Sequence, residues 1–118
     1  MQERRRAARW QINKEAGLTF EGGISPIPCM VEDISTSGMK VSLSRDLFHE
    51  AFSSFKLALA EDLEFNAGAH VAWHDNAYGK NIYGLSFNRI EESAISRISE
   101  YVKNNFSGEL VKQWWGGA

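Results

Sequence analysis

Between positions 33 and 43 the chain runs Asp33-Ile34-Ser35-Thr36-Ser37-Gly38 straight into Met39-Lys40-Val41-Ser42-Leu43. The second half alternates without a break: Met39, Val41 and Leu43 fall on one face, Lys40 and Ser42 on the other. A period of two is that of a half-buried strand. The acid, hydroxyl and glycine, spaced D-x-S-x-x-G, therefore stand at a strand entrance, where side chains reach solvent while a sheet holds them still. A carboxylate at Asp33 accepts from a pair of N–H groups such as guanine's Watson–Crick edge, and a hydroxyl at Ser35 donates to a phosphate or carbonyl oxygen. Gly38 admits positive φ and a close approach to the backbone. The same residues also make an ordinary Asx or Ser turn joining two strands.

The rest of the chain repeats the short-strand theme. Residues 10–20 alternate loosely through Ile12, Leu18 and Phe20, and Gly17 suggests a bend or bulge. After a turn at Glu21-Gly22-Gly23, residues 24–34 form a second strand, with Pro26 and Pro28 confining its start to an edge or loop. Cys29 and Val31 share one face of it. Residues 44–53 mix Arg45-Asp46 with Leu47, Phe48 and Phe52, which suits a loop with a short helical turn lidding a barrel end. Strands are expected at 54–60, with a short extension at 63–65 past Glu61-Asp62, and at 68–75. The last of these places Val71 and Trp73 opposite His70, Ala72 and His74. Residues 76–81 form a hairpin tip and residues 82–87 return. Many short strands with turns between them predict a small antiparallel barrel, which removes its edges by closure.

From Asn88 the period becomes helical. Ile90, Ala94, Ile95, Ile98, Tyr101, Val102 and Phe106 form one apolar stripe. Asn88 with Glu91 reads as the cap, and Gly108 as the stop. Trp114 and Trp115 either fold back on the helix or offer an apolar partner surface.

Composition excludes several functions. The chain has 118 residues, net charge −2 and a single cysteine. That suits one domain without an internal disulfide, and no overall basic field for long nucleic acid. No apolar run approaches a membrane span and no leader pattern opens the chain, so it reads as cytoplasmic. His70 and His74 on one strand would stand ~13 Å apart, too far to share a metal, and neither Cys29 nor His49 completes a ligand set. No nucleophile elbow, phosphate loop or carboxylate pair is present. The expected protein binds and does not catalyse, without metal or cofactor.

Positive charge is concentrated at the front, where Arg4, Arg5, Arg6 and Arg9 include R-x-x-x-R at Arg5 and Arg9. By itself this is a solvated basic tail. R-x-x-x-R followed some two dozen residues later by D-x-S-x-x-G resembles the PilZ domain, the receptor module for cyclic di-GMP. The strands around Val71-Ala72-Trp73 and Tyr83-Gly84-Leu85-Ser86-Phe87, and the helix after them, resemble the family too. The likeness spans roughly residues 3–106.

It implies an all-β fold with a C-terminal helix: a six-stranded antiparallel barrel over residues 10–118, with its helix at about 90–106, behind a flexible arginine arm at residues 1–9. It also implies cyclic di-GMP as ligand, with Arg5 and Arg9 wrapping it against the barrel through phosphate, guanine-edge or stacking contacts and Arg4 adding a phosphate contact or a stacking plane. Asp33 and Ser35 would read its other side and Gly38 would clear room. Trp73 matches an aromatic that some members stack on guanine; its alternative is a core tryptophan on Val71's face. Arm ordering would then switch contact with a protein target or fused effector domain. Two other readings are a ligand-independent PilZ-like adaptor and a small barrel binding single-stranded nucleic acid. One or two ligands per site are both open.

Overall fold

A computed structural model describes residues 9–59, 63–106 and 110–111. In chain order the strands are β1 (Arg9–Phe20), β2 (Ile27–Ile34), β3 (Gly38–Leu43), β4 (Phe55–Leu59), β5 (Leu63–Ala77), β6 (Lys80–Ile90) and β7 (Leu110–Val111), with helix α1 (Glu92–Phe106) before β7. All pairings are antiparallel, in the order β2-β3-β6-β5-β4-β1, and β1 returns to pair with β2. Six strands thus close on themselves, as expected of a sequence with many short alternating runs. Beyond them β7 pairs with the first two residues of β1, Arg9 with Val111 and Trp10 with Leu110.

Closure gathers one face of each strand into a common core. Leu18, Val31, Ile34, Met39, Val41, Leu57, Leu59 and Tyr83 are fully buried. A 3-10 turn, His49–Ser53, sets Phe52 into the barrel's edge, where its ring meets Phe20, Phe55 and Tyr83 at centroid distances of 5.5, 6.1 and 5.1 Å. The expected lid is therefore present. Tyr83 fastens it: the Leu47 N–H donates to the Tyr83 hydroxyl at 2.8 Å, and that hydroxyl lies 3.3 Å from Asp46 Oδ1. Helix α1 lays Ala94, Ile98, Tyr101 and Val102 against β5 and β1.

Several boundaries differ from the sequence expectation, because pairing with neighbouring strands, not local signal alone, sets where a ladder begins, shifts and ends. The irregularity in β1 falls between Gln11 and Lys14, not at Gly17, and Asn13 there has φ 48°. β2 starts at Ile27, after Pro26. The expected short strand at 63–65 and the strand at 68–75 are one, because β5 keeps pairing through a register shift at Gly68/Ala69. The hairpin tip shrinks to Tyr78-Gly79, whose positive φ values (55° and 75°) match the right-handed twist of the flanking strands. Ile90 and Asn88 belong to β6, with Ile90 opposite Ala67, so Asn88 does not cap the helix. In the first turn of the helix the N–H groups of Ala94 and Ile95 donate to the Glu91 carbonyl at 3.0 and 3.2 Å.

Two further shifts matter most. Between Val31 and Asp33, and between Val71 and Trp73, the register slips and one residue is passed over. A bulge breaks the period of two and sends the next side chain to the other face. Val31 points into the core while Asp33 pairs with the outward Lys40. Val71 lies opposite the inward Leu85 while Trp73 lies opposite Gly84. Trp73 is 39% exposed. It does not share Val71's face, and its alternative reading as a core tryptophan is set aside.

Candidate functional site: an outward row beside a buried ion pair

The D-x-S-x-x-G stretch bridges two strands. Asp33 lies in β2, Gly38 opens β3, and residues 35–37 turn between them. The turn is held from within: the Ser35 N–H donates to the Gly38 carbonyl at 2.8 Å and the Ser37 N–H to Ser35 Oγ at 3.0 Å. Ser35 Oγ also lies 3.1 Å from Ser37 Oγ and 3.4 Å from the Gly38 carbonyl. The Phe87 N–H donates to the Ser37 carbonyl at 2.9 Å, tying the turn to β6. Ser35 is fully buried, so its oxygen shapes the loop in this state.

Arg9 opens β1 and reaches across to Asp33, Nη1 to Oδ1 at 3.1 Å, with side chains 8% and 11% exposed. Desolvation pulls the Arg9 pKa down to about 10 against the pull of Asp33. Desolvation likewise raises the Asp33 carboxyl above its ordinary value, although Arg9 and, more weakly, Lys40 lower it. Both shifts run against the charged forms. Burial therefore costs the pair more than its mutual attraction returns.

Gly38 has no positive φ; its need is space. A Cβ there would stand 2.2 Å from the Leu85 carbonyl oxygen and 3.2 Å from Arg9 Nη2. The missing side chain is what lets β3 approach β6 and the guanidinium lie over the turn. Gly84 plays the same part on β6: a Cβ would stand 2.2 Å from Trp73 Nε1 and 2.3 Å from Cε2, so the indole lies across the bare backbone.

Register aligns these residues. Gln11 pairs with Asp33, Asp33 with Lys40, Lys40 with Gly84, and Gly84 with Trp73. Cross-strand partners share a face, so one outward row runs over five strands. The structure thus brings together Arg9, Asp33, Ser35, Gly38 and, along the row, Trp73. Arg4 and Arg5 lie outside the described residues, as do Trp114 and Trp115.

A second cluster escaped the sequence reading. The lid carries His49 to His74, Nε2 to Nδ1 at 3.3 Å, while His74 Nε2 lies 3.0 Å from Asn81 Oδ1 and its ring stacks on Tyr83 at 4.2 Å. Twenty-five residues separate the two histidines, and no local period links them. Among the described residues no group of three or more His, Cys, Asp or Glu side chains could hold a metal. No described helix is long and apolar enough to cross a membrane.

A closed six-stranded barrel with one helix after it, and a buried Arg–Asp pair beside a D-x-S-x-x-G turn, defines a known class. The chain belongs to the PilZ domain family, whose model matches residues 3–104. Among solved structures it is similar to the inhibitor of motility MotI/DgrA of Bacillus subtilis, at 17% identity and TM-score 0.66, covering 91% of this chain and 53% of that one. It is similar to YcgR of Escherichia coli in complex with c-di-GMP, at 16% identity and TM-score 0.65, covering 86% of this chain and 45% of that one. The PilZ domain of that YcgR with c-di-GMP is matched over 90% of this chain and 99% of the domain, at 15% identity and TM-score 0.63. This chain therefore spans about half the length of MotI/DgrA and of whole YcgR. At these identities the likeness is one of fold. No curated protein matches the chain.

Proposed function

We propose that this chain is a cyclic di-GMP receptor that works by binding and changing its surface. The observation that carries the reading is the buried Arg9–Asp33 pair at the D-x-S-x-x-G turn. Family membership and the c-di-GMP complexes among the similar structures support it.

The roles follow from ligand chemistry. Guanine offers paired N–H donors to Asp33, which accepts them as a carboxylate, and an O6/N7 edge to an arginine fork. Arg9 supplies one fork already seated over Gly38, and Arg4 and Arg5 supply phosphate, edge or stacking contacts from the preceding segment. Ser35 holds the turn and Gly38 keeps the approach open. Trp73, spread over Gly84 on the outer face, offers a plane for a base. Because Arg9 is the first residue of β1, ordering on ligand binding concerns the residues before it. Ordering them repositions whatever contacts that segment, a protein target or a fused effector domain.

One observation favours the ligand-independent adaptor as the second reading: Arg9 and Asp33 already bond to each other, and Ser35 to its own turn. Calorimetry separates the two. Binding of cyclic di-GMP, with weak or no binding of linear and non-guanine dinucleotides, is the expected result. Equal response to all of them, or to none, removes the receptor reading.

A further inference from the structure

Lys40 occupies the middle of the outward row, paired with Asp33 on one side and Gly84 on the other. Neighbouring strands lie ~4.8 Å apart, so Lys40 is one strand from Asp33 and two from Trp73. Gly84 has no side chain to screen it, and the indole of Trp73 leans back across that glycine. Lys40 is thus the cation of the row between the residue assigned to a guanine edge and the aromatic plane.

Its present partner is a poor one. Lys40 Nζ lies 3.5 Å from Glu32 Oε1, with side chains 31% and 27% exposed. A long, solvent-reached ion pair is weakly held. Glu32 is the extra residue of the bulge between Val31 and Asp33, and its carboxylate reaches the row there, beside Asp33, whose pKa it helps to raise. A ligand whose bases engage Asp33 and Trp73 must carry its linking phosphodiester over β3 and β6 between them, where β3 presents Lys40 and β6 only Gly84. A compact ammonium on a flexible stem suits such a diffuse anion.

We infer that Lys40 is a phosphate-contacting residue of this site, and that Glu32 holds it in the ligand-free protein and competes with the ligand for it. The inference rests on the receptor reading above and adds to it a contact and its competitor. Calorimetry with cyclic di-GMP on the full chain, at two salt concentrations, tests it. Lys40→Gln should weaken binding about tenfold or more, as loss of one charge-assisted contact does, while Lys40→Arg retains most of the affinity. Glu32→Gln should tighten binding, and that gain should vanish in the Lys40→Gln background and shrink at high salt. All four variants alter part-exposed side chains, so equal melting temperatures are expected and are measured alongside. Unchanged affinity in Lys40→Gln overturns the inference, as does a Glu32→Gln gain that survives without Lys40. Wild-type protein that binds no cyclic di-GMP fails at the earlier step, removing the receptor reading and this inference with it.

Discussion

A carboxylate and a guanidinium taken out of water together pay twice for desolvation, and at Arg9 and Asp33 the two pKa directions show which side wins. Arg9→Met leaves Asp33 buried without its partner and should cost about 3–5 kcal/mol of stability. The double variant Arg9→Met/Asp33→Leu removes both charges and should recover most of that loss, which urea denaturation reads directly. Equal stability of single variant and wild type would show the pair to be solvated. Thus Arg9, unlike an arm residue, is part of the barrel's structure as well as of its site.

The pH dependence follows from the same pair. The folded protein holds the Asp33 proton more tightly than the unfolded chain, whose value is near 3.8. Asp33 therefore contributes stability below that value and loses it as pH rises through its raised folded pKa. Asp33→Asn lacks this contribution. The stability of wild type relative to Asp33→Asn should increase on acidification from neutral pH to about 4, where ordinary carboxyls titrate. A gap that stays constant with pH contradicts the raised value.

At the scale of the elements, glycines decide which strands come close. Gly38→Ala places a methyl against the Leu85 carbonyl. Forcing such a group between β3 and β6 should cost about 1–3 kcal/mol and displace Arg9. Gly84→Ala instead meets the Trp73 indole and should lift that ring from its seat with less harm to the barrel. Indole N–H resonances in NMR spectra report the second change, and cyclic di-GMP affinity should fall with it. The lid has its own fastening: Tyr83→Phe removes the acceptor of the Leu47 N–H and the partner of Asp46. A loss of about 1 kcal/mol is expected, with faster amide exchange confined to residues 46–53. Global loosening instead would mean that the lid and the barrel unfold as one.

For the whole molecule, ligand binding should act at one end and leave the rest alone. Amide exchange should slow across residues 3–8 and 33–38 on adding cyclic di-GMP. Residues 9 and 10, already paired with β7 and, at Trp10, with Ile34, should change less. Helix α1 packs on β5 and β1, with Arg97 donating to the Glu64 carbonyl of β5, and should be insensitive. Slowing throughout α1 would point to a global change and against a local ordering step.

Much of this architecture was legible in the chain. Met39, Val41 and Leu43 announce β3 because a half-buried strand must alternate. The run from Ala94 to Val102 announces a helix because its apolar spacing matches 3.6 residues per turn. D-x-S-x-x-G behind R-x-x-x-R indicates the family because each motif is a short local run, readable without the fold. Other features had no local signal. A bulge is chosen by the partner strand, so the outward turn of Asp33 and Trp73 is invisible to the period of either strand alone. Ile90 reads as helix by spacing, yet it remains in β6 because Ala67 is there to pair with it. The meeting of His49 and His74, the covering of Gly84 by an indole and the burial of Arg9 against Asp33 each join residues brought near by barrel closure. Sequence determined most of the strands and where the polar motifs stand along the chain. Tertiary structure decided which way those residues face and how dry they are, because facing and dryness depend on packing between distant segments.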